Sequence, residues 1–129
     1  MNNRTNLSSG AKWEDIVGYS RAVKIGNIIE VSGTTAIDEE NNIVGIGNAY
    51  EQTVFILKKI QNALEKLGAS MEDVIRTRIY VCNMNDWEQV GKAHGEYFSQ
   101  IKPAATMVEV SKLIDPLLLV EIEVSAILQ

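Results

Sequence analysis

The chain has 129 residues, 46% apolar and 22% charged, with 12 basic against 17 acidic side chains and a net charge of −5. That is one domain's worth of core-forming sequence, too acidic and with basic residues too scattered for a nucleic-acid surface. It also has no run of ~18 apolar residues of the kind a membrane span requires.

Residues 1–12, up to about Trp13, read as a polar lead-in with no apolar leader behind Met1. Residues 19–24 and 28–36 read as strands joined at Gly26-Asn27, a short turn signal. Gly33, inside the second of them, predicts a bulge or a close backbone approach. After the polar turn 39–42, a short strand is expected over 43–46. From about Asn48 to Leu67 the period becomes helical, with Val54, Leu57, Ile60, Leu64 and Leu67 on one stripe. Asn48 suits the N-cap and Gly68 the terminator.

Residues 74–82 alternate, with Ile75, Thr77, Ile79 and Val81 facing one way and Arg76, Arg78 and Tyr80 the other. A second helix is expected over 86–99, its apolar face taking Trp87, Val90, Gly91, His94, Tyr97 and Phe98. Pro103 opens a strand in which Ala105, Met107 and Glu109 share a face. Asp115-Pro116 turns the chain into a last strand, with Val120, Ile122, Val124, Ala126 and Leu128 opposite Glu121, Glu123 and Ser125. The order is that of an α+β fold, about six strands with two helices on one face. The other face, expected to carry Ala105, Met107 and Tyr80, is left partly apolar and predicts self-association.

Few residues invite chemistry. Glu121 and Glu123 share a strand face, which sets them about 7 Å apart. If both are desolvated, one carboxyl gains a raised pKa and can act as an acid or hold a water. Spacing alone favours the plainer alternative, two glutamates facing solvent. His94, the only histidine, sits at the edge of a helix stripe, where packing is the commoner role. One histidine and one cysteine, Cys82, make no transition-metal site. The lone Cys82 rules out an internal disulfide and fits a reducing, cytoplasmic setting. Phosphate-loop, dinucleotide and serine-nucleophile spacings are absent, and no cofactor is expected.

Several segments together carry a resemblance: Gly18 to Val23, Val31-Ser32-Gly33, Val74 to Val81, Pro103 to Val110, and Val120 to Glu123. In order and spacing the chain resembles the Rid (YjgF-type) family over residues 16–128. The resemblance implies a chorismate-mutase-like fold, assembled as a cytosolic homotrimer around a central barrel. Small metabolites would bind in three clefts between subunits. Well-known members hydrolyse enamines and imines to a 2-oxo acid and ammonia. Their strand after the proline reads Pro-Ala-Arg-Ser, and its arginine clamps the substrate carboxylate in a bidentate fork.

Here Ala105 stands at that position, Met107 where a cysteine is frequent, and Gly91 where an asparagine is common. By the same resemblance Tyr19, Ser32 and Gly33 match cleft residues, His94 a helix position often held by tyrosine, and Glu121 the water-positioning glutamate. Losing a charge-assisted pair costs about 1.5–3 kcal/mol, roughly one to two orders of magnitude in rate or binding. The expectation is therefore a metabolite-binding family member that is not an efficient 2-imino acid deaminase. The alternative is a deaminase whose carboxylate anchor has moved to another cation, Arg21 or Arg78, although either arginine also suits a surface ion pair.

Overall fold

The computed structural model describes residues 3–129; residues 1 and 2 of the expected lead-in lie outside them. Six strands form one mixed sheet: β1 (Arg4–Leu7), β2 (Ala22–Ile25), β3 (Ile28–Thr34), β4 (Val74–Val81), β5 (Ala104–Glu109) and β6 (Val120–Ile127). Among the described residues the α-helices are α1 (Lys12–Val17), α2 (Ala49–Lys66) and α3 (Trp87–Phe98). Sheet order is β1-β2-β3-β6-β4-β5, with β4 and β5 parallel and every other pair antiparallel. This is the α+β arrangement expected, and the long helices lie together on one face.

Burial explains the layering. The core joins Ile29 and Val31 of β3, Ile79 and Val81 of β4, and Ile122 and Val124 of β6 to Ile56, Leu57, Ile60 and Leu64 of α2 and Val90 and Phe98 of α3. Alternation on the strands and a 3.6-residue stripe on α2 place these side chains between the layers. The Asn48 side chain accepts from the Glu51 amide at 3.0 Å and caps α2. Gly68, at φ 84°, ends it. Gln52 is fully buried on α2: it donates to the Leu117 carbonyl and accepts from the Leu119 amide at 2.9 Å. The helix is thereby tied to the approach to β6.

Five expectations about the elements and their burial are corrected by the structure. The lead-in is ordered into β1 and α1: β1 is a polar edge strand held by backbone pairing with β2. In α1 the carboxylate of Glu14 is buried while Trp13, Ile16 and Val17 are exposed, the reverse of an amphipathic pattern. Residues 19–21 precede β2 rather than belonging to it, because Gly18 and Tyr19 close the end of α1 by donating to the Glu14 carbonyl. Over 43–46 there is only a single bridge, Ile37 to Ile43. A bulge between Val74 and Arg76 leaves Ile75 exposed, so Val74 takes the inward place expected of Ile75. Trp87, finally, is 54% exposed at the start of α3.

Candidate functional site

The uncovered face of the sheet carries Arg78, Tyr80, Glu121 and Glu123. Pairing of β6, β4 and β5 aligns Glu121 with Tyr80 and Val108, and Glu123 with Arg78 and Thr106. The Tyr80 hydroxyl donates to Glu123 Oε1 at 2.7 Å, and Arg78 Nε lies 3.9 Å from the same oxygen. The hydrogen bond to Glu123 pushes the Tyr80 phenol above its ordinary range. A shallow hollow of about 230 Å³, lined by Arg78, Ile79, Tyr80, Thr106 and Val108, lies beside this group.

Glu121 differs from its neighbour. Its carboxylate has no hydrogen-bond partner among the described residues and is half-buried against β3. There the chain bulges: Val31 pairs with Val124 but Thr34 with Ile122, so β3 carries an extra residue around Ser32 and Gly33. A methyl group on Gly33 would collide with Glu121 Oε2, so glycine is what lets the carboxylate lie there. Burial raises the Glu121 pKa; the Arg21 charge opposes the rise and Glu123 adds to it.

Polar contacts hold the bulge in shape. The Ser32 hydroxyl donates to the Ser20 carbonyl at 2.7 Å, and the Thr34 hydroxyl to the Ser32 carbonyl at 2.8 Å. Arg21 Nη2 donates to the Gly33 carbonyl at 2.6 Å. Behind it, Lys59 of α2 donates to the carbonyls of Thr35 and Ile37 at 3.1 and 2.9 Å. Burial, with the repulsion of Arg21, brings the Lys59 pKa down to about 8, against the pull of Asp38.

The model of the family described as endoribonuclease L-PSP matches residues 10–128. A crystal structure from Mycobacterium tuberculosis, Rv2704 of the YjgF/YER057c/UK114 family, is 45% identical, covers 97% of this chain and 99% of its own, and superposes with a TM-score of 0.88. The chain belongs to the Rid (YjgF-type) family. A RutC family protein of Pyrococcus abyssi is 40% identical over 95 residues, 74% of this chain and 75% of the relative. The 3-aminoacrylate deaminase RutC of Acinetobacter baylyi is 36% identical over 104 residues, 81% of this chain and 82% of its own.

Within this Rid-family chain the residues singled out from sequence do not all meet. Arg21, Ser32, Gly33 and Glu121 are gathered at the bulge. Tyr19 lies 40% exposed at the end of α1. Ala105 and Met107 pair with Thr77 and Ile79, whose side chains are buried on the helix side of the sheet, and Met107 packs against the core. They therefore lie on the opposite face from Tyr80, a correction to the expected grouping. The parallel pairing aligns Tyr80 with Val108 and Ile79 with Met107, so the even positions of β4 and β5 share the open face and the odd ones the helix side.

His94 Nε2 meets the Thr77 hydroxyl at 2.9 Å, and its ring lies 4.7 Å from that of Phe98. Burial lowers its pKa, so the geometry is that of a packed, neutral imidazole. The Cys82 thiol donates to the Leu118 carbonyl at 3.5 Å. Among the described residues no three of His, Cys, Asp or Glu cluster so as to hold a metal ion, and no helix is long and apolar enough to cross a membrane.

Sequence reasoning missed Glu14 and Lys59. Glu14 is buried at the base of α1: it accepts from the Ser8 hydroxyl at 3.0 Å and from the amide and hydroxyl of Ser9. Burial pushes its pKa up, but these bonds and the Arg21 charge bring it below the ordinary value. The available signal for Lys59 was its place three residues after the core residue Ile56 and beside Ile60. No comparable pattern marks Glu14.

Proposed function

We propose that this Rid-family protein works as a cytoplasmic homotrimer that binds a small metabolite in clefts between copies, with Glu121 as the polar, water-positioning group. The observation that carries the reading is the Glu121 carboxylate itself, half-buried against Gly33, without a hydrogen-bond partner among the described residues, its pKa raised by burial. A group so placed is suited to take a hydrogen bond from a ligand or a water. Self-association is supported by the exposed apolar residues Ile25, Ile28, Val108 and Ile127 on the uncovered strands and Trp13, Ile16 and Val17 on α1. In one chain Ala105 and Met107 lie across the sheet from Glu121. A cleft touching both would have to draw them from different copies, and β5, at the sheet edge, is open to one. Tyr19, Ser32 and Gly33 belong to the same proposed cleft, with His94 held back as the packing partner of Thr77.

With Ala105 in the place the resemblance gives to an arginine, the cleft suits a less anionic or bulkier ligand than a simple 2-imino acid. Thermal shift with a panel of 2-oxo acids, enamines and neutral amides tests this. A neutral or bulky compound should raise Tm most, and a preference for small 2-oxo acids would overturn the reading. Val108→Asp on the uncovered face is expected to shift the oligomer to smaller species in sedimentation. A wild-type chain that sediments as a monomer would end the trimer proposal.

The second reading is an enamine or imine deaminase, favoured by the relative that is named a 3-aminoacrylate deaminase. It predicts turnover of 2-imino acids generated in situ, lost in Glu121→Gln. Arg21, whose Nη2 holds the Gly33 carbonyl, would serve as its displaced anchor through Nη1.

A further inference from the structure

We propose that Arg21 is a positioning residue for Glu121: it grips the Gly33 carbonyl across the β3 bulge and so fixes the glycine floor against which the Glu121 carboxylate lies. The inference rests on the reading of Glu121 as the working carboxylate. Arg21 is itself pinned at both ends of its peptide unit. Its amide donates to the Leu7 carbonyl at 2.8 Å, and its carbonyl accepts from the Ser32 amide at 3.0 Å. Its guanidinium has one hydrogen-bond acceptor among the described residues, the Gly33 carbonyl at 2.6 Å, while Nε is buried without a partner. A charge-assisted bond of that length orients the group strongly. It also fixes which way the Gly33 peptide faces, and with it the place where a side chain at 33 would clash with Glu121.

The same arrangement explains why Arg21 is a poor ligand anchor. Nη2 already serves the Gly33 carbonyl and Nε is shut away from solvent, which leaves only Nη1 to meet an incoming carboxylate. Arg21 instead acts on Glu121 through space, and its positive charge counters the burial that favours the protonated acid. The other charged groups near Glu121 are Glu123 along β6 and Tyr80 across on β4. Tyr80 and Arg78 are engaged by Glu123, and Lys59 of α2 is taken by the Thr35 and Ile37 carbonyls, its charge opposed by that of Arg21.

The test is a carbon-detected NMR titration of the glutamate carboxyl signals in the full chain, with Glu121 assigned by its loss in Glu121→Gln. Arg21→Gln removes the charge and, its amide nitrogen ending two atoms short of Nη2, also the grip on the Gly33 carbonyl, and should raise the Glu121 pKa. Arg21→Lys keeps the charge without the planar fork and should hold the pKa nearer the wild-type value. Gly33→Ala leaves Arg21 intact but drives the carboxylate toward water, and should bring its pKa back toward the ordinary 4.5.

A merely structural Arg21 would lower Tm in Arg21→Gln and leave the Glu121 titration unchanged; that result overturns the proposal. Should Arg21→Gln not fold, a wild-type titration in Gly33→Ala overturns it equally. The titration needs no turnover or ligand. If Glu121→Gln keeps full ligand response and turnover, the reading of Glu121 fails while the effect of Arg21 on its titration still stands or falls by itself.

Discussion

The two faces of the six-stranded sheet follow one alternation but carry different residues. Toward the helices β6 presents Val120, Ile122, Val124 and Ala126, all buried. Toward the open side it presents Glu121, Glu123 and Ser125, each half-buried. Every polar group here except the Glu121 carboxylate is engaged: Glu123 with Tyr80 and Arg78, Ser125 with Glu30 at 2.7 Å. The helix face makes the fold; the open face holds its charges ready for something other than the chain's own core. Of the two bulges, the one at Ile75 only re-aims a side chain to the surface. The one at Gly33 makes room for a carboxylate.

The contrast is sharpest in stability. Phe98→Ala on the helix side removes a side chain that is 2% exposed and should cost about 3–5 kcal/mol in chemical denaturation. A loss below ~1 kcal/mol would mean that the helix face is not the core. Gln52→Ala should cost about 1–3 kcal/mol, because the Leu119 amide and Leu117 carbonyl lose their buried partner. No loss there would show that water replaces the tether.

Glu121→Gln should behave in the opposite sense. The folded pKa of Glu121 lies above its ordinary 4.5, so the stability it contributes is full below pH 4.5 and is lost as pH rises through the folded value. Gln keeps the neutral shape, so at pH 7 Tm should rise slightly above wild type, and the gap should close on acidification below about 4.5. A fall in Tm at pH 7 would place Glu121 in a stabilising pair instead. Smallest of all, Arg78→Ala removes an ion pair of two partly exposed side chains at 3.9 Å and should change stability by about 0–1 kcal/mol. A larger loss of oligomer than of monomer stability would tie that pair to an interface between copies.

Much of the fold was legible. The α2 stripe, the Asn48 cap, the Gly26-Asn27 hairpin and the alternation of β6 are all local signals, and each corresponds to an observed element. The expected bulge at Gly33 is present together with the close approach offered as its alternative. What was illegible is equally specific. A four-residue polar edge strand and a six-residue helix that buries its glutamate have no periodic signature. The face assignment of Ala105 and Met107 depended on the register of β5 against β4, which parity within β5 cannot supply.

By itself the sequence determined the order of β2 to β6 with α2 and α3, the segregation of apolar from charged positions, and the resemblance through which Glu121 became a candidate. These are properties of short windows, set by periods of 2 and 3.6 residues and by glycine's tolerance. Only the tertiary structure decided that Arg21 reaches the Gly33 carbonyl, that Gly33 faces Glu121, and that Ala105 and Met107 lie across the sheet from it. Those relations join residues from different strands, and strand pairing and bulges fix them through contacts no local window contains.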